Sequence, residues 1–190
     1  LMATGGSLAS TRVVFDQANT SLFPTEITAF QNGVCFSGRL PSNDREPYFS
    51  DGTSAGTTRL RDIHVGRLGS FPAEFTSLGN VCLFTASDAQ GGVRELWRTD
   101  GSGTGTVLVK RLNPSGASLC RELVAIGGKC YFAAVVGSFG DELCVSDGTS
   151  NGTAIVFDAR PGSVGSGPRH LTKFGSSRLI YACRPALLDE

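Results

Sequence analysis

At 190 residues the chain has the length of one ordinary domain, and its 17 basic and 17 acidic residues cancel, so no electrostatic footprint of a nucleic-acid partner is present. Hydrophobic residues make up 40% and charged residues 18%, too apolar for a disordered chain, and no run reaches the ~20 apolar residues of a membrane helix, which argues against membrane insertion. The 25 glycines, the single Met and the surplus of Val, Ile, Thr and Phe predict an all-β fold.

In chain order, the first segment, LMATGGSLAST from Leu1, leads into a strand from Thr11 to Phe15. It opens without a basic, apolar leader, as expected of a processed product or an excerpt. A second strand pair, ITAFQNGVCFSG from Ile27, turns at Asn32-Gly33, and EPYFSDGTSAGT from Glu46 then turns at Asp51-Gly52. The same two blocks return as FTSLGNVCLFTA from Phe75 with ELWRTDGSGTGT from Glu95, and as LVAIGGKCYFAA from Leu123 with ELCVSDGTSNGT from Glu142. The strand-pair block returns once more as LTKFGSSRLIYA from Leu171. A repeat of about 48 residues accounts for all of this. Cutting after Glu46, Glu95, Glu142 and Glu190 divides residues 1–190 into units 1–46, 47–95, 96–142 and 143–190, one repeat domain, with membership of a longer array as the alternative.

Each unit reads as two hairpins, because Asp-Gly and Asn-Gly dipeptides accept the positive φ of tight turns. Four antiparallel strands recurring at this period match the blade of a β-propeller, with Phe36, Phe84, Phe132 and Tyr181 packed between blades. The terminal hairpins are then expected to complete one blade between them, closing a four-bladed ring with Leu1 near Glu190.

At ELWRTDGSGTGT the chain resembles the ELWxxDGT repeat family of long bacterial surface or secreted proteins. The resemblance is specific from Glu95 and Glu142, weaker from Glu46, where Pro47-Tyr48 stands for Leu-Trp, and weakest at Leu1, where Gly5 stands for the aspartate. It implies propeller-like architecture and an extracellular or cell-surface location, and it carries over no catalytic residue.

Asp51, Asp100 and Asp147 admit two readings. Carboxylates in Gly-rich turns are Ca²⁺ ligand candidates, and the same carboxylates can accept the N–H groups of their own turn; the second reading is favoured, and no cofactor is expected. The recurrent Glu46, Glu95, Glu142 and Glu190 are expected between blades, held by arginine or backbone N–H groups, with a cation-binding ring as the alternative. Cys82 and Cys130 occupy equivalent positions. The six cysteines (Cys35, Cys82, Cys120, Cys130, Cys144, Cys183) show no metal-ligand spacing, and His64 and His170 fall in different units, so no metal site is expected. Asn19 and Asn151 are acceptor sequons for a secreted chain.

No nucleophile elbow or phosphate loop is present. The leading reading is a non-catalytic extracellular scaffold or interaction module, on its own or as a segment of a larger surface or filament protein, with protein or glycan partners and self-assembly as a further option. A lectin-like glycan-binding propeller and a hydrolase with a loop-built axial site are the alternatives.

Overall fold

The computed structural model describes residues 1–5, 12–13, 22–66, 68–88 and 93–186. It is all-β, with one 3₁₀ turn at Gly137–Phe139 as the helical element among the described residues. A short hairpin, β1 (Met2–Ala3) and β2 (Arg12–Val13), opens the chain. Three four-stranded antiparallel sheets follow. The first holds β3 (Thr25–Phe30), β4 (Gly33–Arg39), β5 (Arg45–Ser50) and β6 (Thr58–Arg59). The second holds β7 (Ala73–Leu78), β8 (Val81–Ser87), β9 (Arg94–Thr99) and β10 (Val107–Lys110). The third holds β11 (Arg121–Ile126), β12 (Lys129–Val135), β13 (Asp141–Ser146) and β14 (Ala154–Ile155), and a last hairpin joins β15 (Arg169–Phe174) to β16 (Arg178–Ala182).

Within each full sheet the strands pair in sequence order, as hairpin turns of two to a few residues require. The expectation of four four-stranded units is therefore met in three sheets, while the two ends form separate two-stranded sheets. The register explains why. Met2 lies opposite Val13 as Tyr48 lies opposite Arg59 and Trp97 opposite Leu108, so the first hairpin is the second half of a unit. Arg169 lies opposite Ala182 as Arg121 lies opposite Ala133, so the last hairpin is a first half. The turn Gly175–Ser177 is one residue longer than Gly127-Gly128. That places Tyr181, and not Ile180, in register with Phe132.

Successive sheets stack through their first strands, β3 on β7, β7 on β11 and β11 on β15. No comparable packing joins β15 to β3. The expected meeting of Leu1 and Glu190 lies outside the described residues. The central strands β4, β8 and β12 are buried on both faces, as apolar runs between sheets must be. Phe30, Cys35, Phe75, Cys82, Phe84 and Trp97 fill the first inter-sheet layer, with Phe75 and Phe84 stacked at 5.0 Å. Leu78, Leu83, Leu96, Cys130, Phe132 and Cys144 fill the next. Phe36 and Tyr48 face the other way, where Leu1 packs on them. Burying several large side chains per layer, at about 25 cal/mol per Å² of apolar area, is what a lone four-stranded sheet cannot do.

Candidate functional sites

The turn after each third strand is built alike. Asp51 Oδ1 accepts from Thr53 N–H at 2.8 Å and from the Thr53 hydroxyl at 2.7 Å. Asp100 does the same with Ser102, at 2.9 and 2.6 Å, and Asp147 with Thr149, at 2.8 and 2.7 Å. These bonds hold the Asp100 and Asp147 carboxyls below their ordinary range. The glycine after each aspartate has φ of 87°, 92° and 88°, a region that favours glycine. The later Gly56, Gly105 and Gly152 lie against the carboxylate, where a Cβ would collide with it. Beneath each turn a buried hydroxyl pair, Ser50 with Thr57, Thr99 with Thr106 and Ser146 with Thr153, is bonded at 2.7, 2.8 and 2.7 Å. The aspartates therefore close their own turns. In the Asn151 sequon the asparagine is exposed, while the Thr153 hydroxyl is buried in this pair. Asn19 lies outside the described residues.

The third-strand glutamates are buried and clasp the loop that leads from their own sheet to the next. Glu46 accepts from the N–H groups of Ile63, His64 and Ser70 at 3.1, 3.1 and 3.0 Å, and from the Ser70 hydroxyl at 2.5 Å. Glu142 repeats this with Arg160 N–H, Ser166 N–H and the Ser166 hydroxyl at 3.2, 2.8 and 2.5 Å. Glu95 departs from the pattern. Its Oε1 is 3.7 Å from Arg111, which also pairs with Asp88, and its Oε2 has no donor in hydrogen-bonding geometry. The equivalent Ser118 hydroxyl accepts from Leu112 and Asn113 N–H. Burial pushes the carboxyls of Glu46 and Glu95 up, against the pull of Ser70 in one and of Ser118 and Arg111 in the other. Glu190 lies outside the described residues. The buried Ser70, Ser118 and Ser166, the partners of this series, belong to connections that sequence reasoning treated only as Gly/Pro/Ser-rich loops.

Around Glu46, Asp44 and Asp62 complete a group of three carboxylates with oxygens within 4.8 Å of one another. It is the one arrangement among the described residues with the donors for a divalent cation. Arg59 already supplies positive charge there, at 3.1 Å from Asp44 and 3.5 Å from Asp62. Both Glu46 oxygens are engaged by the loop.

A second glutamate series escaped the sequence reading. Glu26, Glu74 and Glu122 sit at register shifts near the start of each first strand, with φ of 57°, 59° and 57°, and His170 holds the same place in β15 at 59°. Such an angle is strained for a residue with a Cβ. Each carboxylate reaches the following sheet: Glu26 accepts Glu74 N–H at 3.2 Å, Glu74 accepts Leu123 N–H at 3.0 Å, and Glu122 accepts Leu171 N–H at 2.8 Å. Burial raises the Glu74 carboxyl. Glu26 and Glu74 line a cavity of about 550 Å³ with Ala73, Arg94, Leu119 and Arg121. Arg121 is held by Asp141 at 2.7 Å, and Arg94 bonds the Thr85 hydroxyl at 3.0 Å. The recurrence of these glutamates at the repeat period was the available signal; their φ was not.

The six cysteines are free thiols, and all but Cys183 are buried. Burial pushes the Cys130 and Cys144 thiols up to about 12, which suits packing and not nucleophilic chemistry. Comparisons with family models, with curated proteins and with solved structures found no match to this chain.

Proposed function

We propose that the stacked sheets are blades of a propeller-like array of the ELWxxDGT type, and that the chain is a non-catalytic extracellular scaffold or interaction module for protein or glycan partners. One observation supports this reading above the others: the recurrent polar residues are committed to the fold. Asp51, Asp100 and Asp147 close turns, Glu46 and Glu142 clasp loops, and Glu26, Glu74 and Glu122 tie one sheet to the next. That leaves recognition to the residues that vary between units on an otherwise repeated frame. The cavity at Glu26, Glu74, Arg94 and Arg121 combines acceptors and donors suited to polar ligands.

The reading is tested on the full chain with a glycan array and a panel of immobilised extracellular proteins, beside ester, glycoside and phosphate-ester substrates. Saturable binding without turnover is the expected result. Turnover that disappears in Glu74→Gln, with the fold retained by circular dichroism, would overturn it in favour of a hydrolase.

A further inference from the structure

One position of the repeat carries an apolar side chain that the fold leaves half exposed. Phe71, Leu119 and Gly167 each stand two residues before the first paired residue of a first strand, Ala73, Arg121 and Arg169. All three have left-handed backbone, with φ of 50°, 48° and 61°. The third strand of the preceding sheet helps to fix this conformation: Phe71 N–H donates to the Arg45 carbonyl at 3.2 Å, and Gly167 N–H donates to the Asp141 carbonyl at 2.9 Å. Glycine adopts such a φ without strain, whereas Phe71 and Leu119 adopt it with a Cβ. Yet Phe71 is 47% exposed and Leu119 is 48% exposed. Strain kept for a half-exposed apolar side chain is evidence of a use for that side chain outside the fold.

A second position changes with it. Arg45, Arg94 and Asp141 open the third strands in equivalent register. Arginine accompanies Phe71 and Leu119, and aspartate accompanies Gly167, so the apolar group and the guanidinium are present together or absent together. Leu119 and Arg94 line the cavity of about 550 Å³ together with Glu26, Ala73, Glu74 and Arg121. Arg94 commits one Nη to the Thr85 hydroxyl, at 3.0 Å, and keeps the rest of its donor fork. Glu26 accepts Glu74 N–H at 3.2 Å and keeps further acceptor sites. Arg121, by contrast, is fixed by both oxygens of Asp141. Two carboxylates thus face two guanidiniums in the lining, and Asp141 already neutralises one of the latter.

We propose that this cavity binds an uncharged sugar ring of a glycan, with the C–H face of the ring on Leu119 and its hydroxyls shared among Glu26, Glu74 and Arg94. A hydroxyl both donates and accepts, so it satisfies a carboxylate and a guanidinium in the same site, whereas an ion is attracted by one and repelled by the other. The apolar platform adds what a purely polar ligand lacks a face for, and the volume lies within the range of small-molecule sites. Phe71 with Arg45 is the corresponding pair one sheet away, about 10 Å by the spacing of stacked sheets. A glycan of several sugars can meet both pairs, and weak contacts then add through its linkage. This inference rests on the reading of the chain as a non-catalytic interaction module and narrows its partner to one class.

The test is NMR of the full ¹⁵N-labelled chain, titrated with the neutral hexasaccharides of cellulose, starch, xylan, mannan and chitin, and separately with hexalysine. Expected is saturable perturbation of the Leu119 and Arg94 amide signals by at least one hexasaccharide, which is recovered intact. Leu119→Gly should weaken that binding about tenfold or more. Its thermal midpoint should stay near the wild-type value, because glycine relieves the left-handed strain as the side chain is lost. Silence of these signals with every hexasaccharide, or binding that Leu119→Gly leaves unchanged, would overturn the sugar site while the module reading stands on its protein partners. Perturbation by hexalysine alone would overturn it in favour of a basic protein partner. A midpoint lowered by more than about 4 °C in Leu119→Gly would show that the side chain serves the fold, and would overturn it too. Shortened hexasaccharides would instead overturn the non-catalytic reading and leave the sugar site in place.

Discussion

Two glutamate series run through the same sheets and do opposite jobs. The third-strand series points inward: Glu46 satisfies four donors of the loop that its own sheet sends onward. The first-strand series points outward: Glu74 accepts one N–H from the next sheet while its own backbone is held at φ 59°. The difference separates local from long-range order. A buried anion with several N–H partners organises a loop, whereas a single bond made from a strained residue has value only when the next sheet is present.

The largest loss of stability is expected at Glu46. Glu46→Ala leaves the N–H groups of Ile63, His64 and Ser70 and the Ser70 hydroxyl without their acceptor, and each buried donor so stranded costs about 1–3 kcal/mol. A loss above about 3 kcal/mol is expected in urea unfolding, with a single transition retained. At Glu74 the loss should be smaller and different in kind. Glu74→Ala removes one charge-assisted bond, about 1.5–3 kcal/mol, and should separate the transition into two, because the bond it deletes spans sheets. Glu74→Gly deletes the same bond but relieves roughly 1–2 kcal/mol of left-handed strain. It should therefore be more stable than Glu74→Ala, and the reverse order would show that the φ of this residue carries no strain.

Titration sharpens the contrast with the turns. Burial raises the folded-state carboxyls of Glu46, Glu74 and Glu95 above the ordinary 4.5. Their protonated forms are favoured by folding, so this contribution is complete below pH 4.5 and is lost as pH rises through the raised values. The hydrogen-bonded Asp100 and Asp147 lie below 3.8, so theirs is present above that value and is lost as pH falls through the folded-state ones. The urea midpoint should therefore decline from pH 4.5 towards neutrality as well as in strong acid. Glu95→Gln, which neutralises the one clasp among the described residues with an unpartnered oxygen, should flatten part of the decline on the neutral side.

How much of this was legible follows from what each residue type reports. Period, hairpins and turn aspartates were readable because Asp-Gly and its neighbours encode a local conformation. The alignment of Tyr181 with Phe132 was readable too, and the longer turn at Gly175–Ser177 accounts for it. For the recurrent glutamates arginine and backbone N–H partners were expected, but the particular donors were not legible, since Ser70 and Ser166 each lie about two dozen residues further on and are brought close only by the fold. Glu26, Glu74 and Glu122 stand just before the repeated block that begins at Ile27, Phe75 and Leu123, at positions where no propensity favours glutamate at positive φ. The separation of the terminal hairpins into two sheets of their own was not readable at all. Whether β15 meets β3 depends on the angle between stacked sheets, which is set by side-chain packing and not by any local signal.

The smallest effect is expected at the turns, and it decides between turn closure and ion binding there. Asp100 is exposed, and its Oδ1 is already engaged by the N–H and hydroxyl of Ser102, whose oxygen in turn accepts Gly105 N–H at 3.0 Å. Asp100→Ala removes this local closure at a cost of about 1 kcal/mol, as for other side-chain caps of exposed N–H groups. Asp100→Asn, which keeps an acceptor oxygen, should recover most of it. If the carboxylate serves only the turn, the difference between the wild type and the alanine variant is the same in a calcium buffer and in a chelator. A Ca²⁺ ligand behaves otherwise: the wild type alone gains stability as calcium rises, by the linkage between ligand and folded state, and asparagine fails to restore it. Thermal melts of the three proteins across a calcium series separate the two, and a wild-type midpoint that climbs with calcium would return Asp51, Asp100 and Asp147 to the list of ion ligands.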